Sequence, residues 1–262
     1  MTDAVLWAYA FVLGALIGSF LNVCIYRWPA EQSVVTPRSR CPACGRTLSW
    51  YDNIPIISWI LLRGRCRTCD SPISVQYPAI ELATALIWTA AAIRLGLTIE
   101  AVSAATFLTL VLGIAITDAR DMVIPDQFSL GGAAIGLGLA AWPGGIPFLT
   151  AFGAAAGSYI VFWIIKFSAE KAFRKPALGV GDIHMMAMVG AFLGPTGAVL
   201  TILLGSLLGL VIGVPLMFRR DGLKPLGTYL PLGTFLAMGA AVAQTWGPQI
   251  TGWYITRVLG LG

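Results

Sequence analysis

The chain alternates between long apolar runs and short polar segments. A helix that crosses the hydrocarbon of a bilayer needs about 20 apolar residues. The runs that reach or approach this length cover residues 5–26, 79–95, 99–117, 127–142, 148–167, 183–194, 198–218 and 230–247. The run 183–194 is too short to cross alone, so it is tilted, re-entrant or continued through Gly194-Pro195. The pattern predicts an all-α polytopic membrane protein with about eight transmembrane helices.

One polar segment interrupts this pattern near the start of the chain. Residues 27–78 are rich in Pro and Arg and hold four of the five cysteines. We therefore expect a first transmembrane helix over residues 1–26, a small inserted module over 27–78 and a transmembrane core over 79–262. The sequence shows no internal repeat.

Composition and charge agree with a bilayer environment. The 262 residues are 57% hydrophobic and 11% charged, whereas soluble domains carry about 25% charged residues. With the N-terminus outside, all of the 17 Lys and Arg except Arg94 and Arg257 fall in loops on the cytoplasmic side. The net charge of +5 comes from these loops and not from one basic face, so we expect no nucleic-acid partner.

Four cysteines occur as two closely spaced pairs. Cys41 and Cys44 form one Cys-x-x-Cys pair, and Cys66 and Cys69 form the other. Two such pairs can complete a tetrahedral zinc site. Two disulfides or a redox pair are the alternatives, but disulfides rarely persist in the reducing cytoplasm to which the charge pattern assigns this loop. We expect one structural zinc ion, which would supply folding energy to a module too small for its own core. Cys24 is interpreted as an ordinary buried residue.

Acidic residues at the ends of apolar runs are candidates for function, because charges near membrane helices are costly. Asp118 follows the run 99–117, and Asp182 precedes the run 183–194. Two carboxylates near one water can hydrolyse a peptide bond, one as the general base and the other as the proton donor. Alternatively, Asp182 and Asp126 are helix N-caps, and Asp121 is a solvated loop charge.

Other residues near these acids have weaker assignments. Glu81 either is favoured by a helix N-terminus or lines the site. Gly179 and Gly181 would let the backbone bend and approach a substrate strand. His184, the only histidine, cannot build a metal site alone and is at most a supporting residue.

Several motifs together resemble the bacterial type IV prepilin peptidases, also called prepilin leader peptidase/N-methyltransferases, and the resemblance covers almost the whole chain. The opening motif is Gly18-Ser19-Phe20-Leu21-Asn22-Val23 with Tyr26-Arg27-Trp28-Pro29. The cysteine module and the start of the next apolar run match from Cys41 through Asn53-Ile54-Pro55 and Tyr77-Pro78 to Glu81-Leu82. The two aspartate motifs are Asp118 with Ile124-Pro125-Asp126, and Gly179-Val180-Gly181-Asp182.

The resemblance implies a function and assigns residues to it. Members of this family are aspartic proteases of the inner membrane that cleave the leader of prepilins and pseudopilins on the cytoplasmic side, for pilus assembly or type II secretion. Their catalytic aspartates correspond to Asp118 and Asp182. Members with the cysteine module also N-methylate the new N-terminus with S-adenosylmethionine. No Rossmann motif locates that methyl donor here, and the sequence indicates neither the oligomeric state nor the particular pilin.

This chain departs from the family pattern at two places. His184 stands where the family usually has Lys, and the family's Pro-Phe-Gly-Pro motif reads Pro231-Leu232-Gly233-Thr234. Neither change removes a carboxylate, but both bear on substrate fit. A transporter with a zinc-bound loop and a non-catalytic scaffold are the alternative functions. A transporter should carry ionisable groups near the bilayer midplane, whereas a scaffold would not require both aspartates.

Overall fold

The computed structural model describes residues 3–175, 178–213, 215 and 231–260, and the regular elements in this part are all helical. The elements are α1 (Asp3–Arg27), a 3₁₀ turn (Trp50–Asn53), α2 (Ile57–Leu61), α3 (Gln76–Leu95), α4 (Ile99–Asp121), α5 (Asp126–Ala140), α6 (Phe148–Phe173), α7 (Val180–Leu208), a π-turn (Gly209–Gly213), α8 (Leu232–Trp253) and a second π-turn (Tyr254–Val258). Each of the eight predicted runs overlaps a helix, which confirms the all-α prediction.

Five of the described helices are long and apolar enough to cross a membrane: α1, α3, α4, α6 and α7 with its π-turn. Their outer faces are also apolar. On α6, for example, Trp163 and Phe167 each expose more than half of their surface. Such faces would be costly in water and are stable in lipid, so this is a membrane protein.

The first compact unit covers residues 1–109. In it, α1 packs along α3, and two glycines of α1 make the close approach. A Cβ atom at Gly14 would lie 2.8 Å from the Cα of Ala85, and one at Gly18 would lie 2.8 Å from the Cα of Glu81. Small residues of this kind let membrane helices touch along their backbones. The cysteine module, residues 27–78, belongs to the same unit.

The second compact unit covers residues 110–262, and α7 is its central helix. It packs against α5, α6 and α8, and its Met185, Met186, Met188 and Val189 are fully buried. A Cβ atom at Gly190 would lie 2.5 Å from a backbone oxygen of α6. Gly205 also allows close packing, since a Cβ atom there would lie 2.9 Å from the backbone of α8.

Helix α7 joins two runs that the sequence separates, 183–194 and 198–218. Gly194 between them has a left-handed, non-helical backbone (φ 67°, ψ −170°), and Pro195 follows it. Proline lacks the N–H that would continue the helical hydrogen bonds, and glycine tolerates the positive φ. The predicted continuation through Gly194-Pro195 is therefore correct, with a break at that point. The end of the second run lies outside the described residues.

The C-terminal end of α4 differs from the prediction. Helix α4 does not stop at residue 117 but continues through Asp118 to Asp121. Asp121 is thus not a loop charge; it forms the last turn of α4 and pairs with Arg120, with Oδ2 2.7 Å from a guanidinium nitrogen. Because polar residues can extend a helix beyond the apolar run, hydropathy alone sets this end too early.

Candidate active site and metal centre

Asp118 lies near the end of α4 and is 6% exposed. Its Oδ2 accepts a hydrogen bond from the backbone N–H of Thr234, at 2.6 Å, and lies 2.9 Å from the Thr234 hydroxyl. Thr234 is in the first turn of α8, so one end of α8 holds this carboxylate. Both donors stabilise negative charge on Oδ2.

Asp182 is the third residue of α7 and is 8% exposed. The helix N-cap is Gly179, so the interpretation of Asp182 as the N-cap is wrong. A Cβ atom at Gly179 would lie 2.9 Å from Oδ2 of Asp182, so the carboxylate folds back over the N-cap. Its other oxygen, Oδ1, is buried and makes no hydrogen bond to any described residue. Buried polar atoms without partners are rare and are typical of functional sites.

The two carboxylates approach one another within the second unit. The charge of Asp118 acts on the carboxyl group of Asp182. Ile124 lies between the backbones beside them, since a Cβ atom at Gly181 would be 2.8 Å from its Cβ and one at Gly233 would be 2.5 Å from its Cδ1. A Cβ at Gly233 would also lie 3.1 Å from the Asp118 carboxylate. Two like charges at such a site disfavour double ionisation, so the pair can share one proton.

The glycines beside Asp182 have a different structural role from the expected one. Gly179 has an ordinary extended backbone (φ −67°, ψ 144°), so it needs no special bend. Gly181 is required for the close approach to Ile124. A side chain at position 181 would push α7 away from the chain that follows Asp118.

Thr234 is the functional residue that the sequence reasoning missed. The sequence marks it only as a departure from a family motif that has proline at this position. Proline has no backbone N–H and no hydroxyl, so it could make neither hydrogen bond to Asp118. A hydroxyl that replaces proline directly after Gly233 was the available signal.

His184 forms a separate contact beside this pair. Its Nδ1 lies 2.7 Å from Oδ1 of Asp126, and its ring stacks on Tyr159 with a centroid separation of 6.1 Å. Asp126 is the first residue of α5 and the N-cap is Pro125, so the N-cap interpretation of Asp126 is wrong as well. The contact joins the beginnings of α5 and α7, which gives His184 a supporting place near Asp182.

The four cysteines come together in the first unit. Their sulfur atoms all lie within 4.8 Å of one another, and the Sγ atoms of Cys41 and Cys69 are 3.8 Å apart. The two sulfurs of a disulfide lie about 2.05 Å apart, whereas all four cysteines are free in this structure, which favours a metal site over two disulfides. Four thiolates about 2.3 Å from one tetrahedral ion would be about 3.8 Å apart, so the cluster fits a single metal ion.

Both cysteine pairs sit on the same local structure, although the sequence shows no repeat. The Cys41 N–H donates to the Arg46 oxygen and the Cys66 N–H donates to the Ser71 oxygen, each at 2.9 Å. The residue after the second cysteine has positive φ in both turns, 71° at Gly45 and 56° at Asp70. The cluster is thus built from two copies of one tight turn.

The environment of Cys41 favours its thiolate. Hydrogen bonds from the Cys44 backbone and the Ser71 hydroxyl lower the pKa of the Cys41 thiol to about 6. Metal ligands must be deprotonated, so this lowered pKa suits a ligand at neutral pH.

Glu81 belongs to the first unit, whereas Asp118 and Asp182 belong to the second. It is the sixth residue of α3 and is 8% exposed. The prediction that a helix N-terminus stabilises its charge is therefore wrong, because Glu81 lies beyond the first turn. Its Oε2 accepts the backbone N–H of Ile56 at 2.7 Å, which ties the cysteine module to α3. It also lines a cavity of about 550 Å³ between the module, α1 and α3.

Two family models match consecutive parts of the chain. The bacterial peptidase A24 N-terminal domain matches residues 12–95, and the type IV leader peptidase family matches residues 104–214. The first match contains the cysteine cluster and Glu81, and the second contains Asp118 and Asp182. No solved structure matches the chain.

Three curated relatives are named prepilin leader peptidase/N-methyltransferase. The protein from Myxococcus xanthus is 42% identical over 79% of this chain and 62% of its own length. The protein from Aeromonas hydrophila is 33% identical over 97% of this chain and 96% of its own length. The protein from Pseudomonas aeruginosa is 34% identical over 93% of this chain and 91% of its own length. With the site geometry and the family models, these matches show that the chain belongs to the type IV leader peptidase family.

Proposed function

We propose that this protein removes the leader peptide of prepilins or pseudopilins by aspartic-protease chemistry. The observation that carries the proposal is the pair of buried carboxylates of Asp118 and Asp182. The charge of Asp118 acts on Asp182, and Oδ1 of Asp182 is buried without a hydrogen bond to any described residue. The names of the relatives supply the substrate class. A prepilin is inserted in the membrane, so the enzyme that cleaves it must reach it there. This chain is a membrane protein and meets that requirement.

The two aspartates take different roles in this mechanism. Thr234 donates to Asp118 and stabilises its charge, so we assign Asp118 as the base that removes a proton from water. Asp182 then carries the shared proton and donates it toward the carbonyl oxygen of the scissile bond. The water oxygen bonds to the carbonyl carbon. As the C–N bond then breaks, Asp118 gives the proton that it took from water to the leaving amine, and Asp182 takes back a proton from a hydroxyl of the tetrahedral intermediate.

The function is tested by incubating the purified protein in lipid with a prepilin and analysing the pilin by mass spectrometry. We expect loss of the leader, and with S-adenosylmethionine present a further mass of one methyl group on the new N-terminus. An intact prepilin after prolonged incubation would contradict the peptidase proposal.

We further propose that the second activity is N-methylation of the cleaved pilin, with S-adenosylmethionine as donor. When bound, this molecule supplies an electrophilic methyl group. The relatives' names include N-methyltransferase, and the chain retains the cysteine module that accompanies this activity in the family resemblance.

The metal of the cysteine cluster is proposed to be zinc. Four cysteine sulfurs within 4.8 Å of one another can form a closed structural site, which zinc favours, and hydrogen bonds lower the pKa of the Cys41 thiol to about 6. The buried carboxylate of Asp52 also links the two cysteine turns. Its Oδ1 lies 2.8 Å from Nε of Arg67, in the turn of Cys66 and Cys69, and its Oδ2 lies 4.0 Å from a guanidinium nitrogen of Arg46, beside the turn of Cys41 and Cys44.

Metal analysis of the purified protein is expected to find about one zinc ion per chain. Cys41→Ser and Cys66→Ser should each lose most of it, because serine is a poor zinc ligand, and should loosen the module. Cys24→Ser is the matched control, since Cys24 lies in α1 outside the cluster. A metal-free wild-type protein with full activity would rule out the zinc site.

We propose that the protein lies in the bacterial inner membrane with its N-terminus in the periplasm. The module 27–78 and the N-terminal end of α7 then face the cytoplasm, as the distribution of Lys and Arg indicates. A single cysteine introduced at Arg174, in a background without other cysteines, should react only with reagents that reach the cytoplasm. Labelling from the periplasm would reverse the arrangement.

Thr234→Val is expected to slow leader cleavage about tenfold, because it removes one of two hydrogen bonds to a charged group. Thr234→Ser keeps the hydroxyl and should retain nearly the full rate. The rates are read from the same mass-spectrometric assay. Equal rates for the Val and Ser variants would show that the hydroxyl does not position Asp118.

A further inference from the structure

The first unit contains a cavity of about 550 Å³ whose lining residues have no role in the cleavage mechanism proposed above. It is bounded by α1, α3 and the cysteine module, and every residue that lines it lies between positions 19 and 81. Its volume is within the range typical of small-molecule sites. Three features of its wall indicate what kind of molecule it binds.

The first feature is an unpartnered acceptor in the wall. Asn22 is 2% exposed, and its Nδ2 donates to the backbone oxygens of Gly18 and Tyr77, at 3.3 and 3.1 Å. Its Oδ1 is buried and makes no hydrogen bond to a described residue. A buried acceptor costs stability unless a donor reaches it, so a bound ligand with a donor or a positive charge would satisfy it.

The second feature is a pair of opposite charges without ionic partners. The buried Glu81 carboxylate makes hydrogen bonds but forms no ion pair with any described residue. Arg27 also lines the cavity, and its guanidinium donates only to the backbone oxygens of Ser33 and Pro37 among the described hydrogen bonds. One unpaired charge of each sign favours a ligand that is itself both cationic and anionic.

The third feature is aromatic. Tyr26 of α1 and Tyr77 of α3 stack with a centroid separation of 5.4 Å and an interplanar angle of 12°, and both line the cavity. Trp59 lines it from the module and donates its indole N–H to the Ile73 oxygen, at 3.1 Å, which fixes the ring. Flat rings on the wall provide a surface for a heteroaromatic group.

We propose that this cavity is the binding site of S-adenosylmethionine. The proposal rests on the proposed N-methylation. Glu81 and Asn22 would contact the two cationic groups, the ammonium and the sulfonium, and Arg27 would take the carboxylate. The aromatic residues would contact the adenine. In the transfer, the neutral amine of the cleaved pilin bonds to the methyl carbon as the C–S bond breaks. Sulfur keeps the electron pair, and the methylated ammonium releases a proton to water.

A zwitterionic lipid head group has the same two charges but no flat ring. The two occupants are distinguished by binding in nanodiscs that contain such lipids in large excess. A nucleoside-containing ligand should bind there with unchanged affinity, whereas a lipid occupant would compete with it.

The test measures binding of radiolabelled S-adenosylmethionine to the full-length, zinc-loaded protein in nanodiscs, without prepilin. Glu81→Gln keeps an acceptor for the Ile56 N–H but removes the charge, so we expect affinity to fall about tenfold or more. Glu100→Gln is the matched control, an exposed glutamate of the same unit that does not line the cavity, and it should bind normally. Zinc content and thermal unfolding verify that both variants are folded.

Ultraviolet cross-linking of the labelled donor to the wild-type protein provides a test that needs no variant. The label should appear in peptides within residues 19–81. Label within residues 110–262, or a Glu81→Gln affinity within about twofold of wild type, would overturn the proposal, as would competition by the zwitterionic lipid. Because no prepilin is present, these results do not depend on leader cleavage, and a failed cleavage assay would leave them unchanged.

Discussion

Asp118→Asn and Asp182→Asn are each expected to lower the rate of leader cleavage at least about a thousandfold, which is within the usual contribution of acid–base groups. Asparagine keeps the shape of aspartate but cannot take up or release a proton. Both carboxylates are buried, and the charge of Asp118 acts on Asp182. A water-exposed carboxylate nearby therefore cannot take over the proton transfer of either one. Cleavage is measured on one prepilin by mass spectrometry, and membrane insertion and thermal unfolding are checked for each variant.

Two other aspartates of the same unit serve as matched controls. Asp121 is exposed and paired with Arg120, so Asp121→Asn should cleave almost normally. Asp126→Asn should at most lower the rate of leader cleavage, because it weakens the contact with His184 and leaves Asp118 and Asp182 unchanged. Methylation of a pre-cleaved pilin should survive both Asp118→Asn and Asp182→Asn. Robust cleavage by either of these variants would remove the aspartic mechanism and favour the transporter or scaffold alternatives.

The helices were predictable from hydropathy because lipid demands apolar residues along every exposed turn. Their ends were less predictable. Asp118 and Asp121 continue α4 past its apolar run, and Gln76 begins α3 before Glu81. Helical hydrogen bonds do not require apolar side chains, so a polar residue at the end of a run does not show where the helix stops.

The site was predictable to different degrees. The cysteine cluster follows from its spacing, because each Cys-x-x-Cys turn brings two sulfurs together locally. The pairing of Asp118 with Asp182 required the family resemblance, since no local rule connects α4 with α7. The Thr234 contact spans 116 positions, and nothing near either residue indicates the other. The cavity around Glu81 was equally hidden, because its wall combines α1, α3 and the module.

Gly233→Ala is expected to slow leader cleavage by about a hundredfold, since displacing a catalytic group by about 1 Å can have an effect of this size. A Cβ atom at position 233 would lie 2.5 Å from Cδ1 of Ile124 and 3.1 Å from the Asp118 carboxylate. The Ile124 methyl group can move away, but Asp118 is held by Thr234, the next residue. The new methyl group and the Thr234 donor would therefore compete for the position of one carboxylate.

The control for this prediction is Gly138→Ala, because a Cβ atom there would meet nothing within 4 Å. Gly138 lies in α5 of the same unit, and alanine should slightly stabilise that helix, by about 1 kcal/mol. Both variants are compared for cleavage rate, zinc content and thermal unfolding. A Gly233→Ala protein that is folded but slow would show that the close approach of α8 to Asp118 sets the catalytic geometry. If both variants cleaved at the wild-type rate, α8 would have no part in placing Asp118, and Thr234 would lose its assigned role.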